Sequence, residues 1–120
     1  MTVTVGSEID LLSRLYIGHN VPLDVLSRWL GDVEEEVARR VGDDTEGISE
    51  YSYEDSPDTP LLIQDRGHRQ IYYLYLRAMV DFASGQYFAY ANGLGAYRTA
   101  VAQYVHDRLC ARDRGEEQNG

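Results

Sequence analysis

Lysine is missing from this chain of 120 residues, and all 11 basic residues are Arg. Twenty acids outnumber them, so the formal net charge is −9. A balance of that sign argues against a protein that grips duplex DNA by neutralising phosphates. Cysteine is nearly absent too. A lone Cys110 excludes an internal disulfide framework and fits a reducing compartment. No apolar run approaches the ~20 residues of a membrane span, so no membrane role is expected. The opening residues lack the basic and apolar regions of a secretory signal, and none is expected. What remains is 43% hydrophobic and 26% charged, the balance of a globular chain. The length predicts one domain with one core.

The charge that is present is unevenly placed. Residues 1–65 carry fifteen acids and four Arg, a net −11. Residues 66–120 carry five acids and seven Arg, a net +2. Most of the negative charge lies between Asp32 and Asp65, in a stretch that also holds Pro57, Pro60, Gly42 and Gly47. Residues 43–65 have no sustained period and read as a long acidic, partly extended loop. A solvated loop is the plainer reading, and a partner-facing or channel-facing surface is the functional one. Within it, Pro60-Leu-Leu-Ile63 reads as a strand, an extended arm or an apolar anchor.

Four helices account for the rest. The first is expected over Ser7–Tyr16, with Ser7 as its cap and Ile9, Leu12, Leu15 and Tyr16 on its apolar side. The second starts at Pro22, a favoured first-turn residue, and stops at Gly42. Its stripe is Leu23, Leu26, Leu30, Val33, Val37 and Val41, flanked by Trp29, and Glu34, Glu35 and Glu36 include outward positions. The third runs from about Gly67 to Ala83 on a stripe of Ile71, Leu74, Tyr75, Ala78, Met79 and Phe82, with Gly85 just beyond. The last runs from about Gln86 to Arg112, and Tyr90, Tyr97 and Tyr104 repeat every seven residues along it. Gly93 and Gly95 weaken its middle, which leaves three courses open there: a continuous helix, a kink or a break. The expected fold is therefore all-α: one small helical domain over residues 1–114, with the acidic loop at 43–65 and a flexible tail at 115–120.

Few residues suggest chemistry. His106 and Cys110 share a helix face, but half a ligand set does not make a metal site, and His19 and His68 have no ligand-like neighbours in sequence. The carboxylates Glu34, Glu35, Glu36, Asp43 and Asp44 have no nucleophile, Glu-x-x-His motif or phosphate loop to pair with. Gly93-Leu-Gly95 is too short for a dinucleotide fingerprint. No enzymatic activity, cofactor or metal is expected. The tyrosines say more. Seven of the ten lie between Tyr72 and Tyr104. Tyr combines contact area with a polar handle, which suits both cores and interfaces. Because Tyr72, Tyr73 and Tyr75 cover more than one side of their helix, burial against other subunits is expected. The interface candidates are Trp29, Tyr72, Tyr73, Tyr87, Tyr90, Tyr97 and Tyr104, with Arg98, Arg108 and Arg112 on the last helix.

Two blocks of residues resemble a known family. Leu26-Ser-Arg28-Trp29-Leu30-Gly-Asp-Val33-Glu34 is similar to an Arg-Trp-Leu-x-x-Val-Glu pattern. Tyr73-Leu-Tyr75-Leu-Arg-Ala78-Met-Val-Asp81, followed by Gly85-Gln-Tyr87 and Tyr90-Ala-Asn92, looks like a Tyr-Leu-x-Ala-x-x-Asp, Asn-Gly-x-Tyr, Tyr-Asn-Asn signature. Both patterns belong to the small head–tail connector (adaptor) proteins of tailed bacteriophages with long non-contractile tails. The likeness covers roughly residues 23–108. It departs at Ser84-Gly85, at Ala91-Asn92 and at Gly93 and Gly95. The resemblance implies a structural virion protein made in the bacterial cytoplasm. It would form a ring, usually of twelve copies, under the portal protein at the neck. That ring would extend the channel and offer a platform to stopper or tail-completion proteins. DNA would pass through without sequence-specific binding. The charge taken alone would instead suit a small acidic binding protein, such as a DNA mimic or an inhibitor of a basic host protein.

Overall fold

A computed structural model describes residues 2–16, 20–42 and 58–113. It is all-α, with α1 over Val5–Leu15, α2 over Leu23–Val41, α3 over Gln70–Ala83 and α4 over Tyr87–Asp113. Residues 43–57 of the acidic loop, the tail at 115–120 and His19 lie outside the described residues.

The start of α1 differs from the expectation. Thr4 caps it, not Ser7: the Thr4 hydroxyl accepts from the Ser7 amide at 3.1 Å, and the Ser7 hydroxyl accepts from the Thr4 amide at 2.9 Å. This reciprocal pair satisfies two amides that a bare helix end leaves open, so the helix begins two residues before Ser7. Ile9 and Leu12 enter the core as expected, whereas Leu15 is 60% exposed.

In α2 the expected stripe is the buried one from Leu26 through Leu30, Val33 and Val37 to Val41. Leu23 stays largely outside, and Pro22 is the residue before the helix rather than its first member. Gly42 closes the helix in the left-handed region, φ 84°, where a side chain would be strained.

α3 begins at Gln70, three residues after Gly67, because the chain at 65–69 first makes a turn in which the His68 and Arg69 amides donate to the Asp65 carbonyl. It packs against α1, α2 and α4 together. Neighbours on three sides bury more than one stripe, so Tyr72, Leu76 and Val80 join Ile71 and Ala78 in the core. Phe82, expected inside, is 49% exposed.

α4 is continuous through Gly93 and Gly95, so no break forms there. At 1.5 Å per residue it is roughly 40 Å long. Gly93 sits where α4 meets α3: a Cβ there would come within 3.2 Å of the Ala78 Cβ. The missing side chain lets the two helices approach closely, and their packing outweighs the propensity cost of glycine.

The chain before α3 is pinned to the N-terminus. The Val5 amide donates to the Thr59 carbonyl at 3.0 Å and the Leu61 amide to the Val3 carbonyl at 2.9 Å. The Gln64 side chain donates to the Val3 carbonyl and accepts from the Val3 amide, both at 2.7 Å. Leu61 and Ile63 are buried, each contributing about 1.5–3 kcal/mol of apolar transfer. Of the three readings of Pro60–Ile63, the apolar anchor is the one that forms. It makes no more than an isolated bridge between Thr4 and Pro60.

Candidate functional site

Three of the tyrosines expected at an interface belong to the core of this chain. Tyr72 is fully buried, Tyr97 is 2% exposed and Tyr104 is 3% exposed. One small core accommodates them because their hydroxyls find partners, in the buried Glu34 and in Glu36 and Arg108 at its half-buried margin. The Tyr72 hydroxyl donates to Glu34 Oε1 and accepts from the Ile63 amide at 3.0 Å. Glu34 Oε2 accepts from the Leu62 amide at 2.7 Å. Glu34, expected among outward positions, is thus a buried carboxylate that ties α2, α3 and the 58–65 segment together. The Tyr97 hydroxyl donates to Glu36 at 2.9 Å. Arg108 donates to the Tyr104 hydroxyl at 2.6 Å and lies over its ring at 5.6 Å.

Burial pushes the Tyr72 and Tyr97 hydroxyls far above the ordinary tyrosine range, with the charges of Glu34 and Glu36 adding to it. The Tyr75 hydroxyl is pushed up to about 12 by burial, then by Asp32 and Glu36. These groups stay neutral donors at any physiological pH.

The remaining candidates are spread over the surface. Trp29, Tyr73 and Tyr90 are half-buried, and Tyr87 is 64% exposed. Arg98 is exposed, Arg108 is half-buried, and the Arg112 side chain lies outside the described ones. Tyr90 and Tyr87 both rest on Phe82, with ring centroids 5.0 and 5.7 Å away. Next to this cluster a groove of about 370 Å³ runs between α3 and α4, lined by Tyr73, Leu74, Arg77, Asp81, Ala89, Asn92 and Gly93. Asp81, 6% exposed, accepts the Tyr16 hydroxyl at 2.6 Å and so fixes the end of α1 to the same region. That hydrogen bond raises the Tyr16 hydroxyl above its usual value. A second, polar cavity of about 520 Å³ lies along α2 between Asp32, Glu35, Glu36, Arg39 and Arg40, where Arg39 pairs with Glu35 at 2.7 Å. Burial and the Glu35 charge raise the Asp32 carboxyl.

Four features were not legible in the residue order. Phe88, 83% exposed, is the most exposed large apolar side chain among the described residues, and Phe82 stands beside Tyr87. Glu8 is buried in the first turn of α1. Its Oε1 takes Arg69 at 2.6 Å, and Oε2 has no protein partner. Burial raises its carboxyl against the opposing pull of Arg69. Glu34 is the buried carboxylate on which the Tyr72 hydroxyl and the Leu62 amide converge. His68 stands between two carboxylates, Nδ1 at 2.5 Å from Asp65 and Nε2 at 2.9 Å from Asp107, with its ring edge-on to Tyr104. Burial pulls the imidazole down, and the two carboxylates together raise it above its usual value. Asp107 is 39 residues away from His68 in the chain, which is why no local spacing pairs them.

His106 Nε2 and Cys110 Sγ do share a face, 3.6 Å apart. No group of three or more His, Cys, Asp or Glu among the described residues is arranged to hold a metal ion. No described helix is long and apolar enough to cross a membrane. A comparison with protein-family models, curated proteins and solved structures finds no match to this chain.

Proposed function

We propose that this chain is a structural, non-enzymatic subunit of a phage head–tail connector ring, seated under the portal at the neck of the virion. The observation that carries this reading is the resemblance of the two blocks, which lie on the packed helices α2 and α3. Glu34, the last residue of the first block, takes the hydroxyl of Tyr72, which stands on α3 one residue before the second block. Charge supports the same role. An acidic surface facing a channel repels phosphates and lets DNA pass without sticking. Arginines on α4, Arg98 and Arg108 among them, suit an acidic rim on a protein partner such as the portal.

The other reading, a DNA mimic, needs a continuous carboxylate surface. The described carboxylates Asp32, Glu35 and Glu36 share theirs with Arg39 and Arg40, which favours the ring over the mimic on that side of α2. Negative-stain imaging of the concentrated protein, alone and mixed with a phage portal protein, tests it. Rings or portal-bound rings are expected. Removing residues 109–120 is expected to weaken portal docking. A chain that neither forms rings nor binds a portal, and instead binds a basic DNA-binding protein in a salt-sensitive way, would overturn the proposal.

A further inference from the structure

The structure assigns His68 as a proton-operated latch that docks the last two turns of α4, residues 106–113, onto the turn at the base of α3. Those two turns need such a tie. α4 carries Tyr97, Val101, Tyr104 and Val105 into the core, but none of the side chains described beyond Val105 is buried. Apolar packing therefore ends at Val105, and polar contacts take over. Arg108 reaches back to the Tyr104 hydroxyl within the same helix. The Asp107 carboxylate reaches another element and meets His68 Nε2 at 2.9 Å.

The geometry fixes the protonation state in which the latch is closed. His68 Nδ1 lies 2.5 Å from Asp65 and Nε2 lies 2.9 Å from Asp107. An ionised carboxylate only accepts, so each ring nitrogen has to donate, and a ring that donates from both is the imidazolium. A neutral ring has one N–H and one lone pair. It serves one carboxylate and turns a lone pair toward the other. Asp65 is kept close by its own turn, where the His68 and Arg69 amides donate to its carbonyl. Asp107 is 39 residues away and also accepts from the Gln103 side-chain amide at 2.9 Å. The bond to Asp107 is thus the one that gives way, and its carboxylate keeps a donor on its own helix as it leaves.

The neighbouring cations are placed so that they leave the ring its proton. In the turn, Arg69 is committed to Glu8 of α1 at 2.6 Å and Arg66 is exposed. On α4, Arg108 donates to the Tyr104 hydroxyl, the Tyr104 ring stands edge-on to the imidazole, and His106 is exposed. Burial pulls the imidazole down, and Asp65 and Asp107 together raise it above 6.5. A raised folded value means that the latch is closed below 6.5 and opens as pH rises through the folded value. The device is local to α4 and holds whatever partners the chain has.

Nuclear magnetic resonance of the full chain tests it. Between about pH 6 and about pH 9, the amides of residues 106–111 are expected to lose protection against hydrogen exchange. The loss, corrected for the intrinsic rate, is on the order of two- to fivefold, the range of a partly exposed ion pair. At about pH 6 both His68 nitrogens are expected to carry protons, and the loss is expected to share the midpoint of the ring. Asp107→Asn is expected to leave protection low at both ends of the range. His106→Gln removes the neighbouring imidazole and is expected to keep the full change. A His68 ring that is singly protonated at about pH 6 overturns the latch, as does a loss that is absent, that survives Asp107→Asn or that disappears in His106→Gln. Protection at 106–111 as high as in α2 also overturns it, because those amides would then open only with the whole molecule.

Discussion

Replacing Tyr72 by Phe removes a single oxygen from the centre of the molecule. Phe keeps the ring, so the apolar packing of Tyr72 against the core is retained and no large cavity opens. What is lost is a hydroxyl with two jobs: it donates to the buried carboxylate of Glu34 and accepts from the Ile63 amide at 3.0 Å. A hydrogen bond to a charged group is worth about 1.5–3 kcal/mol, and a buried donor left without a partner costs about 1–3 kcal/mol. The two overlap, because both describe the same unmade contacts, so a net loss of about 3 kcal/mol is expected. Glu34 is left with the Leu62 amide at 2.7 Å among the contacts described above, which limits the damage without removing it. Domains of this class are stable by about 5–15 kcal/mol, so the loss is a large fraction of the total. With an unfolding entropy of about 0.25 kcal/mol/K for this length, Tm is expected to fall by roughly 10 °C. Urea unfolding followed by circular dichroism measures the first quantity, and calorimetry the second. Glu34→Gln, alone and combined with Tyr72→Phe, completes a double-mutant cycle with an expected coupling of about 1–3 kcal/mol. A Tyr72→Phe variant within ~0.5 kcal/mol of wild type, the size of an ordinary surface substitution, would refute the role given to this hydroxyl.

The His68 clamp makes stability depend on pH in a defined sense. Its folded pKa is raised, so its contribution is full below the ordinary value of 6.5 and is lost as pH rises through the folded value. Asp107 is lowered by His68, so its contribution is present above 3.8 and lost as pH falls through its own folded value. His68→Asn is expected to flatten the decline in Tm between about pH 6 and about pH 8, and an unchanged slope would remove His68 as its source. The two glycines of α4 should respond oppositely. Gly95→Ala has open space and is expected to gain up to about 1 kcal/mol from helix propensity. Gly93→Leu must push α4 away from Ala78 and is expected to cost about 1–3 kcal/mol, both readable by urea denaturation.

Helix count and most helix ends were readable in the residue order because they depend on local chemistry. The α2 stripe from Leu26 to Val41 and the stop at Gly42 follow from a 3.6-residue period and from the conformational freedom of glycine. Near misses were local as well. Thr4 and Ser7 are both good caps, and their reciprocal bonding placed the start at Thr4. Which tyrosines this chain buries itself was not readable in the same way. Exposure of a tyrosine depends on what packs over it, and period alone does not say how many sides a helix will bury.

That divides the molecule along a physical line. Sequence by itself determined the all-α class, the four helices and the uneven charge, since each arises from neighbours a few residues apart, whereas the anchor at Leu61 and Ile63 was settled by its bonds to Val3 and Val5. Only the tertiary structure decided which polar groups lie inside. Glu34 is buried because Tyr72, 38 residues on, and the Leu62 amide converge on it. Glu8 is buried opposite Arg69, 61 residues on. His68 gains its second carboxylate from α4. The same packing turned Tyr97 and Tyr104 inward and left Phe82, Tyr87 and Phe88 exposed near the turn between α3 and α4. A buried charge persists only where partners from distant segments meet it, and that convergence is a property of the fold.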